Sequence, residues 1–332
     1  MSRWNYDDES GDEWNEDETS LFGALPNKHA QEYNMEHPRR GKALIFNFFT
    51  FEKKRYHTRI GSPQDVENLS KTLCCLDFEV EVYCDLTYNT LKAILYEAAC
   101  EDHSDADCIC IVVMTHGHEH GKLAAFDRGF EVSEVWSPFT ADKCKSLAGK
   151  PKLFFIQACR GSKQDPGSVV ARSVANISES NHPCSQTPSY KIPSCSDILL
   201  AFSSASGFSS VRDLQKGSWF VQCLCEELQL NGKKEHLLTI LTFVCQKVAV
   251  DFQTTFGEKQ MPTIVSMLTR LVYFRPVDRS KNCQKSLVER HRVGGRCRKK
   301  DRYGGNDGCR NNGRKRKRSR SPRKRHESYK YI

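Results

Sequence analysis

The sequence lacks any apolar run long enough to cross a membrane; no stretch approaches the roughly 18 residues that a spanning helix needs. Its opening, MSRWNYDDESGDEW, lacks the apolar segment of a secretory leader, so neither export by that route nor a membrane partner is expected. Aspartate is missing from Pro166 to Ser196, where Glu179 is the only acid. Regular metal-ligand spacing is missing too. His118 and His120 lie close to His116, but no Cys or Asp completes a zinc set, and Cys283, His291, Cys297 and Cys309 are irregularly spaced. No metal and no cofactor are expected. Apolar residues make up only 38% of the chain, a low share that points to polar tails around a folded middle.

Charge divides the chain in the same way. Residues 1–35 carry nine acidic and two basic side chains, and residues 276–332 carry 21 basic and five acidic ones. The net charge is +9, which leaves residues 36–275 balanced at zero. That middle is ample for a core. The acidic start has no apolar periodicity and is read as disordered, as is the basic end. Cysteine is plentiful at sixteen residues. Cys108, Cys110, Cys223 and Cys225 fall in apolar runs and read as small buried hydrophobes, with the thiols mostly free in a reducing compartment.

Lys42–Phe48, Cys108–Met114, Lys152–Gln157 and Asp197–Ser203 are near-continuous apolar runs suited to buried strands. Phe78–Tyr83 alternates apolar and acidic residues, as a strand with one solvated face does. Leu268–Phe274 reads as a final strand. Helical spacing marks Asp65–Leu76, Tyr88–Cys100, Trp219–Leu230 and Leu237–Phe252. Strands alternating with helices predict an α/β fold, a mostly parallel sheet with helices on both faces. In such sheets ligands bind beyond the carboxyl ends of the strands. Residues 162–196 are rich in Ser, Pro and Asn without periodicity and read as a functional segment or linker.

Two segments follow the strand ends: Thr115-His116-Gly117 and Ala158-Cys159-Arg160-Gly161. A thiol attacks as thiolate, and a nearby imidazole can create that form and then protonate a leaving amine. A glycine beside the histidine lets a backbone N–H face a developing oxyanion. Each piece alone has an ordinary reading: a cysteine after an apolar strand is usually core, and His-Gly is a common turn.

Gln157-Ala158-Cys159-Arg160-Gly161 matches the Q-A-C-[RQG]-G signature of the caspases. The resemblance extends through Lys150–Gly161, Thr115–Gly117, Arg59–Asp65, Lys191–Pro193, Lys216–Phe220 and Met261–Leu268, in the family's order, over about residues 40–275. It is closest to the effector type with a short pro-segment. The resemblance implies a three-layer sandwich on a six-stranded sheet, with a pro-segment 1–35, a large subunit 36–165, a linker 166–196, a small subunit 197–275 and a tail 276–332. It makes Cys159 the nucleophile and His116 its acid–base partner, with the N–H groups of Gly117 and Cys159 as oxyanion hole. Arg59, Gln157 and Arg212 would bind a substrate aspartate, with Ser210 lining the pocket; two guanidiniums and an amide can saturate one carboxylate. It also implies protein substrates cut after Asp, a zymogen, a homodimer of processed protomers, an upstream activating caspase and a role in programmed cell death.

The chain departs from the family pattern in four places. Ser209 and Val211 stand where effector enzymes carry aromatics, so the second pocket should be wider and less apolar. Asp213 replaces the usual Asn and should disfavour a second acid four residues before the cut. The segment between Phe252 and Met261 is short. The linker offers only Asp165, or Glu179, for processing. Beyond the resemblance, Arg314–Arg325 is a dense basic run that fits an import receptor or nucleic acid, so the chain is expected in the cytoplasm and, through this tail, in the nucleus. Two rival readings remain open: a catalytically weak homologue that regulates other caspases, and a nucleic-acid-binding protein that uses the protease fold as a scaffold.

Overall fold

The computed structural model describes residues 29–52, 56–167 and 193–277, and the backbone of a short strand at Tyr329–Tyr331. In chain order the elements are β1 (Lys42–Asn47), α1 (Ser62–Cys75), β2 (Glu79–Cys84), α2 (Tyr88–Cys100), β3 (Ile109–Met114), β4 (Lys122–Ala124), β5 (Gly129–Glu131) and α3 (Ser133–Trp136). There follow β6 (Lys152–Gln157), β7 (Ile198–Phe202), β8 (Val211–Asp213), β9 (Gly217–Ser218), α4 (Trp219–Asn231), α5 (Leu237–Asp251), β10 (Thr263–Ser266) and β11 (Tyr329–Tyr331).

The apolar runs form one six-stranded sheet in the order β10-β7-β6-β3-β1-β2. All neighbours are parallel except β10, which is antiparallel to β7. Residues i and i+2 of a strand share a face, so each run divides between two cores. Ala43, Ile45, Cys110, Val112, Leu153, Phe155, Leu199 and Ala201 meet α1, α4 and α5 on one side. Leu44, Phe46, Ile111, Val113, Phe154, Ile156 and Leu200 meet α2 and α3 on the other. This is the expected α/β sandwich with helices on both faces. The full burial of β3 and β6 explains why their sequences are continuous rather than alternating. Among the described residues, no helix is long and apolar enough to cross a membrane.

Three boundaries differ from the sequence reading. The last strand of the sheet is Thr263–Ser266, ahead of the expected Leu268–Phe274, where Leu271 instead takes part in an isolated bridge with Glu32. The expected disordered segment 1–35 stops short of its end, because Tyr33 and Met35 are buried in the core. Two isolated apolar residues carry no period, so nothing local marked them as core. The basic tail 276–332 contains β11, whose Tyr-Lys-Tyr composition favours extended structure. Residues 1–28 and most of the tail lie outside the described residues.

A buried ion pair ties the two ends of this unit together. Arg40 Nη1 donates to Asp107 Oδ2 at 2.9 Å, with both side chains fully buried. Arg40 also donates to the carbonyls of Leu76 and Arg275, while Asp107 accepts from the His37 N–H. Removing one partner strands a buried charge. Asp107→Ala should therefore destabilise the fold by about 3–5 kcal/mol, read as a lower urea midpoint with an unchanged m-value.

Candidate active site

The register of the sheet places the two reactive residues. β3 and β6 are paired through Met114↔Gln157, and Thr115 N–H continues the ladder to the Gln157 carbonyl at 3.0 Å. His116 and Cys159 each follow two residues after that pair, on adjacent strand ends. Gly117 lies against the backbone between them: a Cβ on it would stand 2.1 Å from the Cys159 carbonyl oxygen and 2.9 Å from the Ala158 Cβ. Any side chain at 117 would push the histidine loop off the cysteine loop. Gly161 allows a second close approach, since a Cβ there would meet the Gly207 carbonyl at 2.2 Å.

His116 Nε2 is 2.7 Å from the His57 carbonyl oxygen. A carbonyl can only accept, so Nε2 carries the proton and Nδ1 is left as the base. The Tyr56 ring stacks on the imidazole, with centroids 5.3 Å apart and planes 16° apart, and Phe51 flanks it at 5.1 Å. Tyr56 is itself held by a 2.9 Å contact between its hydroxyl and His118 Nε2. Burial, reinforced by the positive charges of Arg59 and Arg212, brings the imidazole down to about 4, so it is neutral at pH 7. The sequence reading missed Tyr56, Phe51 and the His57 carbonyl. They come from the loop ahead of Arg59, and a stacking contact leaves no spacing signal.

Cys159 is buried, 3% exposed, and its neighbours in the site, His116, Gly117, Gly161, Ser162 and Ser209, line an open cavity of about 640 Å³. Its Sγ accepts the Ser210 N–H at 3.1 Å. Two guanidiniums interact electrostatically with Cys159.

Those guanidiniums belong to Arg59 and Arg212, both buried. Arg59 Nη1 donates to Asn47 Oδ1 and to the carbonyls of Phe48 and Met114, and Arg212 Nε donates to the Ile60 carbonyl. Arg59 Nε and Nη2, Arg212 Nη1 and Gln157 Oε1 are buried with no hydrogen-bond partner. Burial and mutual repulsion bring Arg59 down to about 9, and burial brings Arg212 down to about 10. Nearby Asp65 is occupied by the Ser218 N–H and hydroxyl, both at 2.7 Å, and burial pushes its carboxyl up to about 6. Gln157 Nε2 donates to Ser210 Oγ at 2.9 Å. Turning the amide over, with the serine hydroxyl donating instead, would aim Nε2 where Oε1 now points. The arrangement gathers unpartnered cationic donors near enough to Cys159 to interact with it electrostatically.

The structure thus brings Cys159, His116, Gly117, Arg59, Gln157, Ser210 and Arg212 together. Asp213 stands apart from them: its Oδ1 accepts the N–H groups of Gln215 and Lys216, closing the turn into β9. Asp165 lies at the edge of the described region, its carbonyl accepting from Lys259 N–H and its Oδ1 from Gly167 N–H. Glu179 lies outside the described residues. Among the described residues, no group of three or more His, Cys, Asp or Glu could hold a metal.

Residues 40–273 match the family model described as "Caspase domain". The chain is 46% identical to "Caspase drICE" of Drosophila melanogaster over 257 residues, covering 75% of this chain and 74% of that one. It is 45% identical over 254 residues to "Caspase-1" of Spodoptera frugiperda and 41% identical over 250 residues to "Caspase-7" of Gallus gallus. These matches cover 82% and 80% of the relatives, and 74% and 73% of this chain. The crystal structure of caspase-1 from Spodoptera frugiperda superposes with a TM-score of 0.70 at 43% identity, covering 76% of this chain and 98% of that chain.

The stacked imidazole generates a pH prediction. Tyr56→Ala opens His116 to water and should raise its pKa from about 4 towards the ordinary 6.5. The acid limb of the pH–rate profile, or the His116 titration followed by NMR, should move to higher pH. The unfolded chain binds this proton more tightly than the native one, so folding stability falls as pH drops from 6.5 towards about 4, and the variant should lose less over that window.

Proposed function

The chain belongs to the caspase family of cysteine-type peptidases, and from that premise we propose that it cuts proteins on the carboxyl side of aspartate. The observation that supports this most is the set of buried, unpartnered donors on Arg59 and Arg212 beside Cys159. Two desolvated guanidiniums are costly unless an anion neutralises them, and a side-chain carboxylate of the right length supplies one. Gln157 Nε2, turned over against Ser210, adds a third donor.

In the proposed cycle, His116 Nδ1 takes the Cys159 proton and the thiolate attacks the scissile carbonyl. The N–H groups of Gly117 and Cys159 hold the resulting oxyanion. The C–N bond then breaks, His116 gives its proton to the leaving amine, and an acyl-enzyme thioester remains. His116 next takes a proton from water, the hydroxide displaces the thiolate, and the acid product leaves.

The chain is made as a zymogen, with a large subunit over 36–165, a linker over 166–196 and a small subunit over 197–275. Processing is assigned to Asp165, or else to Glu179. Cutting after Asp165 requires its carbonyl to leave the Lys259 N–H, so the uncut linker holds this corner of the site in place. A homodimer is supported by β10, which ends the sheet with Val265 and Ser266 exposed and can pair with a second copy. Ser209, which lines the cavity, widens the second pocket. Asp213 places a carboxyl group at the far end of β8 and opposes a second acid. The cellular role is programmed cell death, downstream of an activating caspase. The basic tail serves as an import signal or a nucleic-acid contact, which adds the nucleus to a cytoplasmic site of action.

Cys159→Ala should abolish turnover of an Asp-containing peptide amide. Replacing that Asp by Asn should lower kcat/KM by roughly 1,000-fold or more, because a site built for one polar group strongly rejects a mismatch. Profiling a tetrapeptide library should return Asp at the cut with no preference for acid four residues before it; tolerance of neutral residues at the cut would refute the assignment of the pocket. Sequencing the new N-terminus of the small subunit should give Pro166 or, failing that, Ser180, and any other start rules out both sites.

A further inference from the structure

β8 is only three residues long, yet both of its edges are paired. One edge meets β9 through Arg212↔Ser218 and Asp213↔Gly217. The other meets β11, antiparallel, through Tyr329↔Asp213, Lys330↔Arg212 and Tyr331↔Val211. The residue before β8 is Ser210, whose N–H contacts the Cys159 sulfur at 3.1 Å. From Tyr329 to Tyr331, therefore, the C-terminal segment runs along β8 towards the nucleophile. It crosses Arg212, one of the two guanidiniums of the anion site.

An extended peptide added to a sheet edge is held mainly by backbone hydrogen bonds, which do not depend on its sequence. Any peptide drawn along this edge with the same polarity delivers successive residues to Cys159, one every ~3.3 Å. We propose that the chain's own Tyr329–Tyr331 segment, paired to the outer edge of β8, competes there with substrate peptides. This rests on the proposed function, with the added premise that a substrate lies extended along this edge.

Two features fit a competing occupant better than a substrate. Residues 329–332 read Tyr-Lys-Tyr-Ile and hold no aspartate for the anion site, so the segment can lie on the edge without being cut there. The segment is also tethered: residues 278–328 connect it to the unit that carries β8. Closing a loop of that length costs only slightly more than closing a shorter one, and a tether raises the local concentration to about the millimolar range. Three residues of strand bind weakly, so occupancy is partial and a substrate displaces the segment by mass action. The apparent affinity for substrate then falls by the fraction of molecules whose edge is free.

The test uses the full chain carrying Tyr329→Pro together with Lys330→Pro. Neighbouring N–H groups in a strand point to opposite sides, so two adjacent prolines remove a donor aimed at β8 whichever way the segment is turned. In the active chain, the apparent KM for an Asp-containing tetrapeptide amide should fall by about two- to tenfold with kcat unchanged. In the same variant built on Cys159→Ala, amide exchange over residues 209–214 should quicken severalfold. An unchanged KM in an active chain, or unchanged exchange over 209–214, overturns the inference. A chain inactive on every Asp peptide would sink the proposed function instead, and the exchange measurement would still decide this one.

Discussion

The register of β3 against β6 is the constraint on which the rest depends. Met114 faces Gln157 across a parallel ladder, and each strand runs two residues further before its reactive side chain appears. A slip of one residue would turn both runs inside out, sending Phe154 and Ile156 to the wrong helical layer. The two-faced core therefore holds His116 and Cys159 on neighbouring strand ends. Gly117 completes the fit, because the loops touch backbone to backbone.

Within that frame, the pocket works against the stability of the fold. Arg59 and Arg212 are buried with their charges facing each other, and Asp65, the nearest carboxylate, already serves Ser218. Such an arrangement survives because hydrophobic layers on both faces of the sheet carry the folding energy. On the proposed function, a pocket that is unfavourable alone would become favourable around one carboxylate, and selectivity would come from the same repulsion that weakens the empty site.

The sheet was legible in the sequence because buried parallel strands write themselves as apolar runs: β6, Lys152–Gln157, has the bounds read from pattern alone, as does the amphipathic helix α2, Tyr88–Cys100. The placement of Cys159 and His116 at adjacent strand ends was legible too, through a five-residue signature after one strand and a His-Gly turn after another. The fold's edges were not. Thr263–Ser266 is an exposed edge strand without an apolar run, and the three-residue β8 is too short for periodicity to register. Tyr56 acts through the face of its ring and Asp107 through a partner 67 residues away; neither relation has a local spacing. Asp213 was read by position alone, and the two N–H groups its carboxylate accepts, from Gln215 and Lys216, left no mark in the sequence.

β8 and the strand that covers it sit on the same side of the 166–196 segment. Severing that segment would leave cover and covered surface still joined in one polypeptide. Maturation of the usual kind would thus produce an enzyme that still carries its own brake, tuned by how much substrate surrounds it. Releasing the brake would take a second incision, somewhere in residues 278–328, where Asp278, Asp301 and Asp307 offer an aspartate-cutting enzyme places to make it.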